Sequence, residues 1–197
     1  MNACLIVVDL QNDYFAGGKM ELVNIEQAAE NAQQLLGKFR GNDMPIIHIQ
    51  HVSARPGATF FLPNTKGVEI HEMVSPLKGE NVVSKNYPNS FRETDLLEVL
   101  KKTDKDTVVI CGAMSHMCID ATTRAAFDYG FTCAVAEDAC ATRDLVFKGK
   151  TISAADVHAS FMAALSVPYA QVIATKEILQ NMATTGSTRP PQTARIR

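Results

Sequence analysis

The sequence predicts an α/β fold built on a parallel sheet with helices on both faces, and three observations lead there. Residues 3 to 8, Ala-Cys-Leu-Ile-Val-Val, run apolar without interruption up to Asp9, the pattern of a strand buried on both faces rather than one facing water. Strand-like and helix-like segments then alternate along the chain, which implies βαβ crossovers. The chain has 197 residues, 46% of them hydrophobic. At that size about 70% of the extended chain's surface can be buried, enough for one domain with a true core.

The elements follow in order. After the first strand, Ile25, Ala28, Ala29, Ala32, Leu35, Leu36 and Phe39 recur at helical spacing between about residues 24 and 40, with Asn24 as the N-cap and Gly41 just past the end. Pro45-Ile-Ile-His-Ile reads as the second strand. Residues 52–80 are rich in Pro, Gly, Ser and Asn and lack periodicity, a long excursion of the kind that is usually functional. Within it Phe60, Phe61 and Leu62 form an apolar patch, which marks either contact with a neighbouring subunit or burial against the chain's own core. A strand at 81–84, a helix near 93–102, a strand at 107–111, a helix from about 117 to 129, a strand at 132–136, a helix from about 151 to 166 and a strand near 170–174 complete the series. The chain thus divides into one domain, residues 1–183, and a loose tail, residues 184–197, carrying Thr-Thr-Gly-Ser-Thr-Arg-Pro-Pro.

Charge and cysteine usage narrow the function. With 19 Lys plus Arg against 21 Asp plus Glu, the chain lacks the basic excess of a nucleic-acid or anionic-membrane binder, and no run approaches the roughly 20 apolar residues of a membrane span. A small-molecule partner is expected. The five cysteines, Cys4, Cys111, Cys118, Cys133 and Cys140, include no C-x-x-C pair, and the N-terminal segment lacks a basic leader with a cleavage site, so free thiols and a cytoplasmic location are expected.

In an open α/β sheet the ligand crevice lies beyond the carboxyl ends of the strands, and three polar residues end or follow strands there. Asp9 closes the first strand. A carboxylate after such a run is partly desolvated, which raises its pKa and suits it to proton transfer, although an Asp at this place also serves simply to cap a turn. Lys85 follows Val82-Val83-Ser84 and is placed either to pair with Asp9 or to sit idle in solvent. Cys118 follows the link Gly112-Ala-Met-Ser-His-Met and falls at the first turn of the next helix, where the helix N-terminus lowers a thiol's pKa and offers N–H groups for an oxyanion. The other four cysteines lie in or beside apolar runs and read as inert. A carboxylate, an amine and a thiol at three strand ends make a base, an electrostatic partner and a nucleophile.

The blocks Asp9-Leu-Gln-Asn-Asp, Lys85 with Phe91 downstream, and Gly112-Ala-Met-Ser-His-Met-Cys118-Ile resemble the three signature blocks of the isochorismatase-like cysteine hydrolases, over about residues 3–175. The resemblance implies a three-layer αβα sandwich with a six-stranded, mainly parallel sheet, assembled as a dimer or tetramer. It implies a triad of Asp9, Lys85 and Cys118 that cleaves a carbon–nitrogen bond through an acyl thioester, with no redox cofactor. A cis peptide between Ala113 and Met114 would direct the backbone N–H of Met114 toward the same oxygen as that of Cys118. Isochorismatases that cleave a vinyl ether typically lack this cysteine, so Cys118 directs the reading to amides or ureides.

Metal-binding nicotinamidases of the family carry Asp-x-His after the second strand, where this chain has Gln50-His51-Val52. His48 and His51, three apart, point to opposite faces of a strand, and His71 reads as a loop histidine. No metal is therefore expected, and nicotinamide is disfavoured as substrate. Phe15, Tyr87 and Phe91 supply either pocket walls or ordinary packing at loop ends. Gln11 and Asn12 are placed to orient Asp9 or the substrate. His116 either faces the pocket or hydrogen-bonds its own loop, and His158 reads as structural. A catalytically silent binding module on the same fold is the alternative, but it gives no reason for these three residues to occur together. A redox-sensing role for Cys118 would call for a nearby resolving cysteine, and none lies close in sequence.

Overall fold

The first apolar run becomes the middle of the sheet. In the computed structural model, which describes residues 2–184, strand β1 (Ala3–Val8) is buried along its whole length. It pairs in parallel with β2 (Ile46–His51) on one side and β4 (Thr107–Ala113) on the other. With β3 (Asn81–Lys85), β5 (Thr132–Ala141) and β8 (Gln171–Ile173) the sheet has six parallel strands in the order β3-β2-β1-β4-β5-β8. This is the three-layer α/β sandwich expected. The order reverses direction at β1, which places the strand ends of β1 and its neighbours over the crevice where such folds bind ligands.

Alternation along β1 divides the core in two. Ala3, Leu5 and Val7 face α1 (Ile25–Arg40) and α5 (Thr175–Thr184). Cys4, Ile6 and Val8 face α2 (Leu96–Lys102), α3 (Asp120–Asp128) and α4 (Ala154–Leu165). Every residue of the stripe on α1 singled out by its spacing is buried, and each large apolar side chain so buried contributes about 1.5–3 kcal/mol. Asn24 precedes α1 in the left-handed region, φ 59°, and its side chain caps nothing; Gly41, at φ −66°, ends the helix without a left-handed turn.

The expected strands at 107–111 and 132–136 continue to Ala113 and Ala141. Gly112 and the half-buried Glu137 and Asp138 interrupt their apolar patterns, and a register shift between Ile110 and Gly112 carries β5 past them. A hairpin of β6 (Leu145–Phe147) and β7 (Lys150–Ile152), turning on Lys148 and Gly149 at positive φ, precedes α4; the helix therefore begins at Ala154, where Ser153 caps it, rather than at 151. Helix α5 lies where no element was expected and buries Ile178 and Met182 in the same layer as α1. Beyond Thr184, its last residue, the expected tail lies outside the described residues. No helix among the described residues is long and apolar enough to cross a membrane.

Candidate active site

Asp9 is the first residue past β1, and its backbone turns at φ 51°. Across from it β4 comes so close that a Cβ on Gly112 would collide with the carbonyl of Val8, so only glycine fits at that register position, itself at φ 123°. The turn leaves the Asp9 side chain with no exposure, 2.7 Å from the Nζ of Lys85, whose side chain is equally enclosed. Lys85 ends β3, and parallel register sets it beside His51 at the end of β2. Its ammonium also donates to the carbonyls of Tyr87 and Pro88, at 3.1 and 3.3 Å, and lies 3.4 Å from His51 Nδ1. Burial by itself would lower the Lys85 pKa, but the charge of Asp9 and the hydrogen bond to it work against burial and the pKa is raised. The ammonium is therefore permanent.

Cys118 approaches from a third element, a π-helical turn, Ser115–Ile119, between β4 and α3. Single π turns of this kind recur at functional sites. The Ala113–Met114 bond that leads into it is cis. The thiol sits with a ligand atom of Asp9 and one of His51 within 4.8 Å of one another, and it interacts with both Asp9 and Lys85. The helix N-terminus was expected to lower its pKa. Burial, seconded by the Asp9 charge, overrides that and pushes the thiol up to about 12 although Lys85 opposes it. With its pKa so raised the sulfur favours the protonated thiol, and the Asp9 carboxylate is the acceptor beside it. Apart from Lys85 and the thiol, the Asp9 oxygens have no hydrogen-bond partner among the described residues. Cys4, Cys111 and Cys133 are likewise held near 12 by burial, and Cys140 is pushed up too. Burial does not set Cys118 apart; its neighbours do.

Asp9, His51 and Cys118 are also the set among the described residues whose ligand atoms come close enough to hold a metal ion. The Lys85 ammonium already supplies a cation 2.7 Å from the carboxylate and offers a proton to His51 Nδ1, so it takes the electrostatic place of an ion there. His48, on the opposite face of β2, contacts Glu80 at 2.8 Å and is remote from this cluster.

The cavity above the sulfur has a volume of about 210 Å³. Tyr87 lines it, as one of the two readings had it, together with Met114. Gln11, Asn12 and His116 need correction, and for Phe15 and Phe91 the packing reading holds. Gln11 is wholly buried, and its amide clamps the backbone of His51 on both sides, at 2.7 and 2.9 Å, and the carbonyl of Val68 at 2.7 Å, which leaves nothing for a substrate. Phe15 stacks on His71 at 3.6 Å between ring centres, and Phe91 packs on Tyr129 in the core; both are packing residues. His116 bonds Thr142 Oγ1 at 2.6 Å and does not line the cavity. Asn12 and Asp13 act as Gln11 does: Asn12 donates to the carbonyl of Lys66, and Asp13 accepts from the N–H groups of Phe61 and Lys19. The block after Asp9 thus pins the 52–80 excursion onto the sheet. Phe61 is buried in the chain's own core, while Leu62 stays exposed.

Arg55 and Phe60, from the 52–80 excursion expected to shape substrate access, line the cavity, whereas sequence reasoning missed Tyr14, His51, Asn86 and Met117 as wall residues. His51 was legible only with the β2–β3 register, which sets it opposite Lys85. A larger cleft of about 380 Å³, between Asn24 and Gln27 on one side and Glu137 and His158 on the other, contains none of the three reactive groups.

An isochorismatase domain model matches residues 3–177. The chain is 51% identical over 180 residues to the isochorismatase family protein YddQ of Bacillus subtilis, covering 91% of this chain and all of that protein, 100%. It is 32% identical over 141 residues to a streptothricin hydrolase of Streptomyces noursei, covering 72% of this chain and 50% of that protein. The crystal structure of an isochorismatase from Pseudomonas putida KT2440 superposes with a TM-score of 0.84 at 37% identity, over 89% of each chain.

Proposed function

The chain belongs to the isochorismatase family, a family of hydrolases, and on that premise we propose that it is a cysteine hydrolase that cleaves the carbon–nitrogen bond of a small amide or ureide. The observation that carries this reading is the buried Asp9–Lys85 pair, 2.7 Å apart, set beside a protonated Cys118 at the floor of a small cavity. Asp9 takes the thiol proton as Cys118 Sγ attacks the carbonyl carbon. The proton then passes to the departing nitrogen, the carbon–nitrogen bond breaks, and an acyl thioester remains on Cys118. Water, relieved of a proton by Asp9, attacks the thioester, releasing the acid and restoring the thiol. Lys85 pairs with the Asp9 carboxylate and stabilises the sulfur anion as it forms.

The carbonyl oxygen, negative in the tetrahedral intermediate, is held by the backbone N–H groups of Met114 and Cys118, two residues of the cavity wall. No step calls on a metal or a cofactor, since Lys85 supplies the fixed positive charge. The five free thiols suit the reducing cytoplasm, and assembly as a dimer or tetramer belongs to the same reading. Its test is ammonia release from a panel of small carboxamides and ureides before and after reaction with iodoacetamide. Stoichiometric labelling of Cys118 should abolish release; unchanged turnover by the fully labelled protein would refute the proposal.

A further inference from the structure

The cavity over Cys118 is electrostatically lopsided, and we infer that its substrate carries an anionic group besides the scissile carbonyl, an amide or ureide of a small carboxylic acid, with Arg55 as the residue that recognises the acid. This rests on the cysteine-hydrolase reading and adds the charge of the substrate to it. The ionisable side chains on the cavity wall are Tyr14, His51, Arg55, Tyr87 and Cys118. Tyrosine is neutral at pH 7. Burial favours the neutral imidazole of His51 and the protonated thiol of Cys118. Arg55 is left as the wall's one formal charge.

The acids nearby are already committed. Asp9 is neutralised by Lys85 at 2.7 Å, and Asp13 is tied to the N–H groups of Phe61 and Lys19. Arg55 itself is exposed and makes no ion pair among the described residues. Two further arginines act on residues of the wall. Arg143 acts on Tyr14, and Arg92 lies 3.7 Å above the Tyr87 ring, sharing its charge with Glu93 at 3.5 Å. In a chain of net charge −2 this local excess runs against the whole. A cationic ligand would meet an unpaired guanidinium and no lining carboxylate, whereas a carboxylate would complete the guanidinium's fork with two parallel hydrogen bonds.

Position and size define the ligand further. Arg55 shares the cavity wall with His51 and Cys118, and its charge is felt at His51, so the acid is held on the His51 side of the cavity. A volume of about 210 Å³ equals the share of about seven waters in the liquid, which limits the acid to a few carbons. The remaining walls, Phe60, Pro88, Met114 and Met117 among them, are apolar and suit the body between the two polar ends.

The test compares alkylation of Cys118 by iodoacetate and by iodoacetamide, reagents of one size that differ by a negative charge, each rate normalised to 2-mercaptoethanol. The expected normalised preference for iodoacetate is about tenfold at low salt, equivalent to about 1.4 kcal/mol. Arg55→Gln should cut that ratio about fivefold, and Arg55→Lys should retain most of it, because the charge remains. Succinamate against butanamide as substrates should show the same ordering in kcat/KM. A ratio of one in the wild-type protein, or a ratio in Arg55→Gln equal to that of the wild type, would overturn the inference. Loss of amide hydrolysis on alkylation with a ratio of one would sink the role of Arg55 alone; hydrolysis that survives complete alkylation would sink the hydrolase reading itself.

Discussion

Strand β2 carries two histidines on opposite faces, and each stands beside a carboxylate and a cation. On one face His48 and Arg40 meet Glu80; on the other His51 and Lys85 meet Asp9. Both clusters hold a histidine, a carboxylate and a cation, and their hydrogen bonding differs. Glu80 accepts from Arg40 twice, at 2.7 and 2.9 Å, from His48 at 2.8 Å and from the N–H of Leu77 at 2.9 Å. Burial would raise its pKa, but these bonds outweigh that and hold it at about 2. Asp9 is buried more deeply and accepts from far fewer groups. A saturated carboxylate is a structural pin. One with open lone pairs next to a thiol is placed to accept its proton.

That contrast can be broken from either side, and the largest effect is expected at the sulfur. Cys118→Ala should lower amide turnover by about 10³-fold or more while the far-ultraviolet circular dichroism stays unchanged, because the residue sits beside a cavity and little volume is lost. Removing one partner of the buried pair comes next. Lys85→Met should abolish turnover and lower stability by about 3–5 kcal/mol in urea titration, because it strands a buried carboxylate. The double variant Asp9→Leu with Lys85→Met should regain much of that stability and none of the activity.

The Glu80 side is expected to move stability rather than chemistry. Its folded pKa, about 2, lies below the ordinary value of 4.5, so its contribution is fully present above pH 4.5 and is lost as pH falls toward 2. Glu80→Gln should therefore be less stable than wild type near pH 7, by about 3 kcal/mol at most. The gap should close as the solution is acidified, as followed by thermal unfolding across pH. The smallest effect is expected at Gln11, where Ala should cost about 1–3 kcal/mol for the backbone groups it leaves unpaired and should lower kcat more than it raises KM, because His51 loses its clamp.

The sheet, and the meeting of Asp9, Lys85 and Cys118 at its strand ends, were legible in the sequence because strand ends are marked by chemistry. An apolar run that stops at Asp9, Lys85 or the Cys118 link says where a crevice-facing residue stands, and covalent connection then carries it to one side of the sheet. The walls were not legible in the same way. Phe15 and Phe91 look like Tyr14 and Phe60 as residues, and only the fold decides which ring turns into the cavity and which into the core. Gln11 illustrates the same limit: its place two residues past Asp9 suggested chemistry, whereas its amide is spent on the backbone of a segment forty residues away. The thiol's pKa was misjudged for a related reason, since proximity to a helix start is visible in the sequence and depth of burial is not.

The central claim is that Cys118 carries the acyl group between two proton transfers by Asp9, and partition of that group tests it most directly. With an amide substrate and increasing hydroxylamine, the wild-type protein should divert a rising share of product from the acid to the hydroxamate, and Cys118→Ala should form neither. Turnover by Cys118→Ala at a rate near wild type, with the acid as sole product at every hydroxylamine concentration, would contradict it.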